Sequence, residues 1–169
     1  MKPSSRKRSQ SRQQALPAEK PINAWVVYDS ISGNTRTIAE AIALSIGEHV
    51  PAIRADKVDA GEAKSLDLLV VGSPTHGGRP TEKITHFVAA ISPALPAGIK
   101  VAAFDTRLST GLVKIFGYAA DRIAASLKAG GAGSARLVGV EGFVVTGRAG
   151  PLGKGEVQRA AGWGRQLAL

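Results

Sequence analysis

The stretch Ala24-Trp25-Val26-Val27-Tyr28-Asp29-Ser30-Ile31-Ser32-Gly33-Asn34-Thr35 decides how the rest of the chain is read. Its first residues, Ala24 to Tyr28, are apolar and rich in β-branched and aromatic side chains, as in a strand buried on both faces of a parallel sheet. From Asn34 to Ile46 the apolar positions Ile38, Ala39, Ile42, Ala43 and Ile46 recur at helical spacing, and Gly47 is a natural stop. Between them, Asp29 to Thr35 carries hydroxyls at Ser30, Ser32 and Thr35, an amide at Asn34 and a flexible Gly33. A buried strand that turns directly into an amphipathic helix is the opening of an alternating α/β fold.

The same alternation continues to the C-terminus. Strands are predicted at Val50 to Ala55, Leu66 to Gly72, Lys100 to Phe104, and Phe143 to Val145 with Leu137 to Val140 in the same β region. Helices are predicted at Thr81 to Ile91 with Thr81 as N-cap, at Gly117 to Ala129 before Gly130-Gly131, and at Glu156 to Leu167. This order implies an α/β three-layer sandwich, a five-stranded parallel sheet with helices on both faces. No internal repeat interrupts it.

Composition narrows the chemistry. The 169 residues suit one domain, and 44% hydrophobic content is enough for a core. There is no cysteine, so disulfides, thiolate metal sites, cysteine nucleophiles and iron–sulfur clusters are excluded, and redox work would need a bound cofactor. Three histidines without an HExxH pattern argue against zinc. The net charge is +9, and residues 1–20 hold six basic side chains against one acid, so +5 of it sits there. That stretch of Ser, Gln, Lys and Arg is predicted to be a disordered tail, with residues 21–169 as the folded domain. Arg6-Lys7-Arg8 could touch nucleic acid or an anionic surface; a solvated extension is the plainer reading, and nucleic acid is not otherwise expected. No apolar stretch follows the basic residues and none reaches spanning length, so a cytoplasmic location without membrane insertion is expected.

Ligands of open parallel sheets bind outside the carboxyl ends of the strands, where strand order reverses. Three segments with unusual chemistry leave strands at that edge. Asp29 to Thr35 can turn its donors inward while the following helix presents free N–H groups and its positive dipole end, a phosphate site with no obligatory cation. It is neither a Walker loop nor the dinucleotide glycine fingerprint. A helix cap needs one hydroxyl; three, with Gly and Asn, favour anion binding. Gly72-Ser73-Pro74-Thr75-His76-Gly77-Gly78-Arg79-Pro80 is shaped by two prolines and opened to close backbone approach by its glycines. Asp105-Thr106-Arg107-Leu108-Ser109-Thr110-Gly111 follows the fourth strand.

Ser30 to Thr35 resembles the phosphate signature of the flavodoxin family, Ser/Thr-x-Thr/Ser-Gly-x-Thr after the first strand. Ser73 to Pro80 is similar to the family's Ser-Pro-Thr-Tyr/His-Gly-Gly-x-Pro loop beside the isoalloxazine ring. The resemblance covers residues 23–169. It implies strand order 2-1-3-4-5 and FMN as cofactor. It also implies phosphate contacts from Ser30, Ser32, Asn34 and Thr35 and from the amides of Ile31 and Gly33. The ring would lie against Pro74, Thr75, His76, Gly77 and Gly78, bordered by Asp105, Thr106 and Arg107. His76 stands where such proteins often carry an aromatic and can stack, less extensively than Trp or Tyr. The acidic, tyrosine-bearing loop of typical flavodoxins is absent, which leaves the stacking partner unassigned. Arg79 or Arg107 near the ring would favour a reduced anionic flavin. Trp25 and Trp163 read as core or rim aromatics, and Gly150-Pro151-Leu152 as a structural turn.

The resemblance favours an electron carrier that meets redox partner proteins or a small-molecule acceptor, as a monomer or weak dimer, with no catalytic side chain. An FMN-dependent NAD(P)H:quinone-type oxidoreductase is the alternative, set back by the lack of a long insertion to shape a second-substrate pocket. A non-redox binding module on the same fold is the third reading. A response-regulator receiver is disfavoured, because Asp29 and Asp105 are lone acids and Thr146-Gly147-Arg148 carries no lysine.

Overall fold

The computed structural model describes residues 20–109, 113–129 and 134–169. The expected tail, Thr110-Gly111 and the Gly130-Gly131 helix end fall outside these, apart from Lys20. The order is β1 (Ala24–Tyr28), α1 (Asn34–Ile46), β2 (Ala52–Arg54), β3 (Leu68–Pro74), α2 (Glu82–Ile91), β4 (Lys100–Leu108), α3 (Val113–Phe116), α4 (Ala119–Ala129), β5 (Arg136–Val145) and α5 (Glu156–Leu167). All strand pairs are parallel and the sheet runs β2-β1-β3-β4-β5, the order the resemblance implied.

Alternation along the strands divides their side chains between two cores. Val27, Leu69, Val71, Val101 and Ala103 pack under α2 and α4 with Ile84, Phe87, Ile91, Ile123 and Leu127. Val26, Tyr28, Leu68, Val70 and Phe104 pack under α1 and α5 with Ile38, Ile42, Ala160 and Leu167. Trp25 joins the first core and Trp163 the second, where it meets Phe104 and Phe143 edge to face. Helices α1 and α5 approach so closely that a methyl on Gly164 would lie 2.1 Å from Ser45 Oγ.

The sequence-predicted bounds hold for β1, α1, α2 with Thr81 as its N-cap, and α5, and shift elsewhere. β2 is shorter because Pro51 has no N–H for the ladder and Ala55–Lys57 turns into a 3₁₀ segment. β3 begins and ends two residues later than the apolar run suggests. β4 extends to Leu108, since β5 keeps pairing beside it through Val145. Asp105, Thr106 and Arg107 therefore belong to a strand end, where a loop was expected. β5 is one continuous strand with a register shift opposite Val101 and Ala102. α4 starts at Ala119 because Gly117, with φ 78°, breaks the chain between it and α3.

Candidate functional site

The chain runs from β1 outward to β2, then crosses back to β3 on the other side of β1, so the reversal falls between β1 and β3. At the carboxyl end of these strands lies a cleft of about 510 Å³, within the roughly 300–1,000 Å³ of small-ligand sites. Ile31, Ser32, Asn34 and Thr35 line one end, with Pro74, Thr75, His76, Gly77, Gly78, Thr106 and Arg107 along its sides. Of the residues singled out in the sequence, Ser30, Gly33, Arg79 and Asp105 do not line it.

The α1 end of the cleft is left without a cap. Gly33 sits at the N-cap in the left-handed region, φ 87°, with no side chain bonding the first turn. Each nearby hydroxyl that bonds has another partner. Ser30 Oγ accepts from Gly33 N–H at 3.1 Å and so shapes the loop. Thr35 and Thr106, both buried, share a hydroxyl–hydroxyl bond of 2.8 Å that ties α1 to β4. Thr37 Oγ1 donates to the Gly33 carbonyl. The backbone N–H groups of Asn34, Thr35 and Arg36 have no partner among the described residues, and they carry the positive end of the helix dipole. Their donor chemistry fits an anion such as a phosphate.

The β3 loop closes as a two-residue turn. His76 and Arg79 exchange backbone bonds of 3.0 Å, and Gly77 and Gly78 between them hold φ 55° and 75°. Gly78 also fits against the Phe116 carbonyl, which a methyl there would meet at 2.4 Å. Arg122 fastens the contact, its Nε donating to Gly78 O at 2.8 Å and Nη2 to Phe116 O at 3.4 Å. Thr75 is fixed as well, donating its N–H to Thr106 O and accepting Ala119 N–H on its hydroxyl. Phe116 itself is 63% exposed and lines the cleft.

Below the floor of the cleft, Asp105 is fully buried. Arg107 grips it with two bonds, Nε to Oδ1 at 2.5 Å and Nη2 to Oδ2 at 2.8 Å, and Ala120 N–H adds a third at 2.9 Å. The guanidinium lies 3.5 Å over the Tyr118 ring. Burial pushes the Asp105 carboxyl above the usual aspartate range, against the opposing pull of Arg107 and the Ala120 N–H. The pair is thus a fixed element of the wall, with the arginine charge matched by its own carboxylate.

Leu108, Phe116, Val145 and Arg148 also line the cleft and were not singled out in the sequence. Ile115-Phe116 ahead of a glycine was a usable signal, because no amphipathic helix face absorbs that apolar pair. Arg148 was legible only as part of the turn after the last strand. Among the described residues there is no group of three or more His, Cys, Asp or Glu side chains able to hold a metal. Nor is any helix long and apolar enough to cross a membrane.

Fold and cleft together define a flavodoxin-like α/β protein with a ligand cleft at the switch point of its sheet. The model of the family described as Flavodoxin matches residues 26–162. An archaeal flavodoxin is similar at 25% identity and TM-score 0.72, over 87% of this chain and 96% of that one. Flavodoxin 1 of Bacillus cereus shares the fold at 22% identity and TM-score 0.63, over 86% and 96%. The flavodiiron core of Synechocystis Flv1 does so at 24% and 0.63, over 89% of this chain and 36% of its own. No match was found among curated proteins. The chain belongs to the flavodoxin family, whose members bind FMN.

Proposed function

We propose that the chain holds FMN in this cleft and works in electron transfer. The observation that carries the reading is the uncapped N-terminus of α1 opening into a cleft of about 510 Å³. The free N–H groups of the first turn, with Ser32, Asn34 and Thr35, take the phosphate. Ser30 and Gly33 act behind them by setting the loop. The ring lies along Pro74 to Gly78, where rigid backbone offers N–H and C=O groups to its edge. Phe116 supplies the exposed aromatic face that the sequence left unassigned, and His76 lines the same cleft. FMN supplies the electron chemistry; the chain binds it, orients it and limits its exposure to water.

A redox partner protein or a small acceptor meets the bound cofactor at the cleft mouth. Ile31 and Phe116 line the cleft and are exposed, an apolar fringe suited to transient contact. Purified protein is expected to be yellow and to release FMN, without FAD, on denaturation. A colourless protein that does not quench the fluorescence of added FMN would refute the reading. Oxidation of NAD(P)H by the purified protein with a quinone would move the assignment from carrier to reductase.

A further inference from the structure

We infer that Arg148 is a cationic contact of the FMN phosphate, so that this chain supplements the neutral donors of the α1 loop with a guanidinium from the turn after β5. The inference rests on the FMN reading above.

Arg148 lines the same cleft as Ile31, Ser32 and Asn34, although it lies more than a hundred residues away in sequence. Its turn is fastened to the phosphate loop. Asn34 Nδ2 donates to the carbonyl of Ala149, the next residue, at 3.2 Å. Gly150 presses on the same side chain: a methyl there would lie 2.7 Å from both Asn34 amide atoms. The turn is braced internally by Gly150 N–H on Gly147 O at 3.0 Å, and by Thr146 N–H and hydroxyl on Pro151 O at 2.9 and 3.0 Å. The backbone that carries Arg148 is therefore held in fixed relation to the start of α1.

Its charge is also uncommitted. Arg107, the other guanidinium lining the cleft, is bound by Asp105, whereas Arg148 forms no ion pair among the described residues. An exposed guanidinium at the edge of an anion site, anchored one residue from that site's own side chain, has the fork geometry to take two phosphate oxygens at once. Asn34 then has two tasks: it lines the phosphate end and it holds the arginine's turn in register.

The test compares FMN with riboflavin, which has the same ring and ribityl chain but no phosphate. Wild-type protein, R148Q and R148K are titrated with each flavin by fluorescence quenching, at low and at high ionic strength. R148Q is expected to weaken FMN about tenfold to a hundredfold at low ionic strength and to leave riboflavin unchanged. The loss should narrow at high salt, because the contact is exposed. R148K should keep part of the affinity, as a point charge without the fork. The inference is overturned if R148Q binds FMN as wild type does, or loses both flavins in equal proportion. If the wild-type protein binds neither flavin, the FMN reading itself falls and takes this contact with it.

Discussion

Replacing Arg107 by methionine isolates what the wall of the cleft owes to one ion pair. The substitution keeps the aliphatic stem and removes both guanidinium bonds from a carboxylate with no exposed surface. The Ala120 N–H and the nearby Thr75 hydroxyl remain to Asp105. Breaking a buried pair on one side typically costs about 3–5 kcal/mol, because the surviving charge is left uncompensated. Loss of the stack on Tyr118 adds about 0.5–1 kcal/mol, so about 5 kcal/mol is expected at neutral pH. For a chain of this size that lowers Tm by about 10–20 °C. The cost should depend on pH in a defined direction. Burial already holds Asp105 above its ordinary range, and removing Arg107 raises it further. A carboxyl raised by folding contributes stability below its unfolded pKa and loses it as pH rises through the folded value. The variant's deficit should therefore shrink as pH falls toward and below the ordinary aspartate range, where protonation leaves no charge to strand, and be full at pH 7. Urea melts of the apoprotein at pH 7 and in that acid range, with unchanged m, would measure it. D105N/R107M should recover most of the loss, because no charge is then stranded. A deficit under about 1 kcal/mol at pH 7, or one equal at the two pH values, would refute the reasoning.

Gly78→Ala should weaken FMN by about tenfold and destabilise the protein by about 1–3 kcal/mol, because its methyl meets the Phe116 carbonyl; Gly77→Ala, with open space around it, should cost only about 1–2 kcal/mol of backbone strain. Isothermal titration and thermal melts of the pair separate fit from conformation. Thr35→Val strands the buried Thr106 hydroxyl and should cost about 1–3 kcal/mol in chemical denaturation, with a further loss of FMN affinity. Gly164→Ala drives a methyl into Ser45 and the Ile42 backbone between α1 and α5 and should cost about 1–3 kcal/mol without altering the relative affinities for FMN and riboflavin. Glu156 is held below the usual glutamate range chiefly by Arg159, with the Val144 N–H assisting. Its contribution is present above its unfolded pKa and lost as pH falls through the lower folded value, so wild-type protein should lose more stability than E156Q on acidification below about pH 4.5.

The structure also revises the expected influence of Arg107 on the flavin. The sequence places a bare arginine near the ring, which would favour reduction. In the fold its charge is matched by Asp105, so spectroelectrochemical titration of D105N/R107M, which removes the pair together, should show a smaller potential shift than that of R107M, which strands the carboxylate.

How far the sequence reached depends on the range of the interactions involved. The continuous apolar run Ala24–Tyr28 and the period-3.6 patterns of Asn34–Ile46 and Glu156–Leu167 reflect burial in or against a sheet, a signal carried within each segment, and their bounds match the elements observed. The loop proposed to take the phosphate could be singled out because its donors and its helix are contiguous. What needed the tertiary structure comes from contacts between distant segments. Asp105 to Arg107 became strand because β5 pairs beside them. Thr35 found Thr106 across 71 positions. Phe116 reached the cleft because Gly78 and Arg122 hold its backbone there. Arg148 came to the start of α1 because α1 and α5 share one face of the sheet, which brings the turn between β5 and α5 onto Asn34. Local pattern determined the order of elements and the loop that opens the cleft; long-range packing decided which side chains face it and which charges there are already matched.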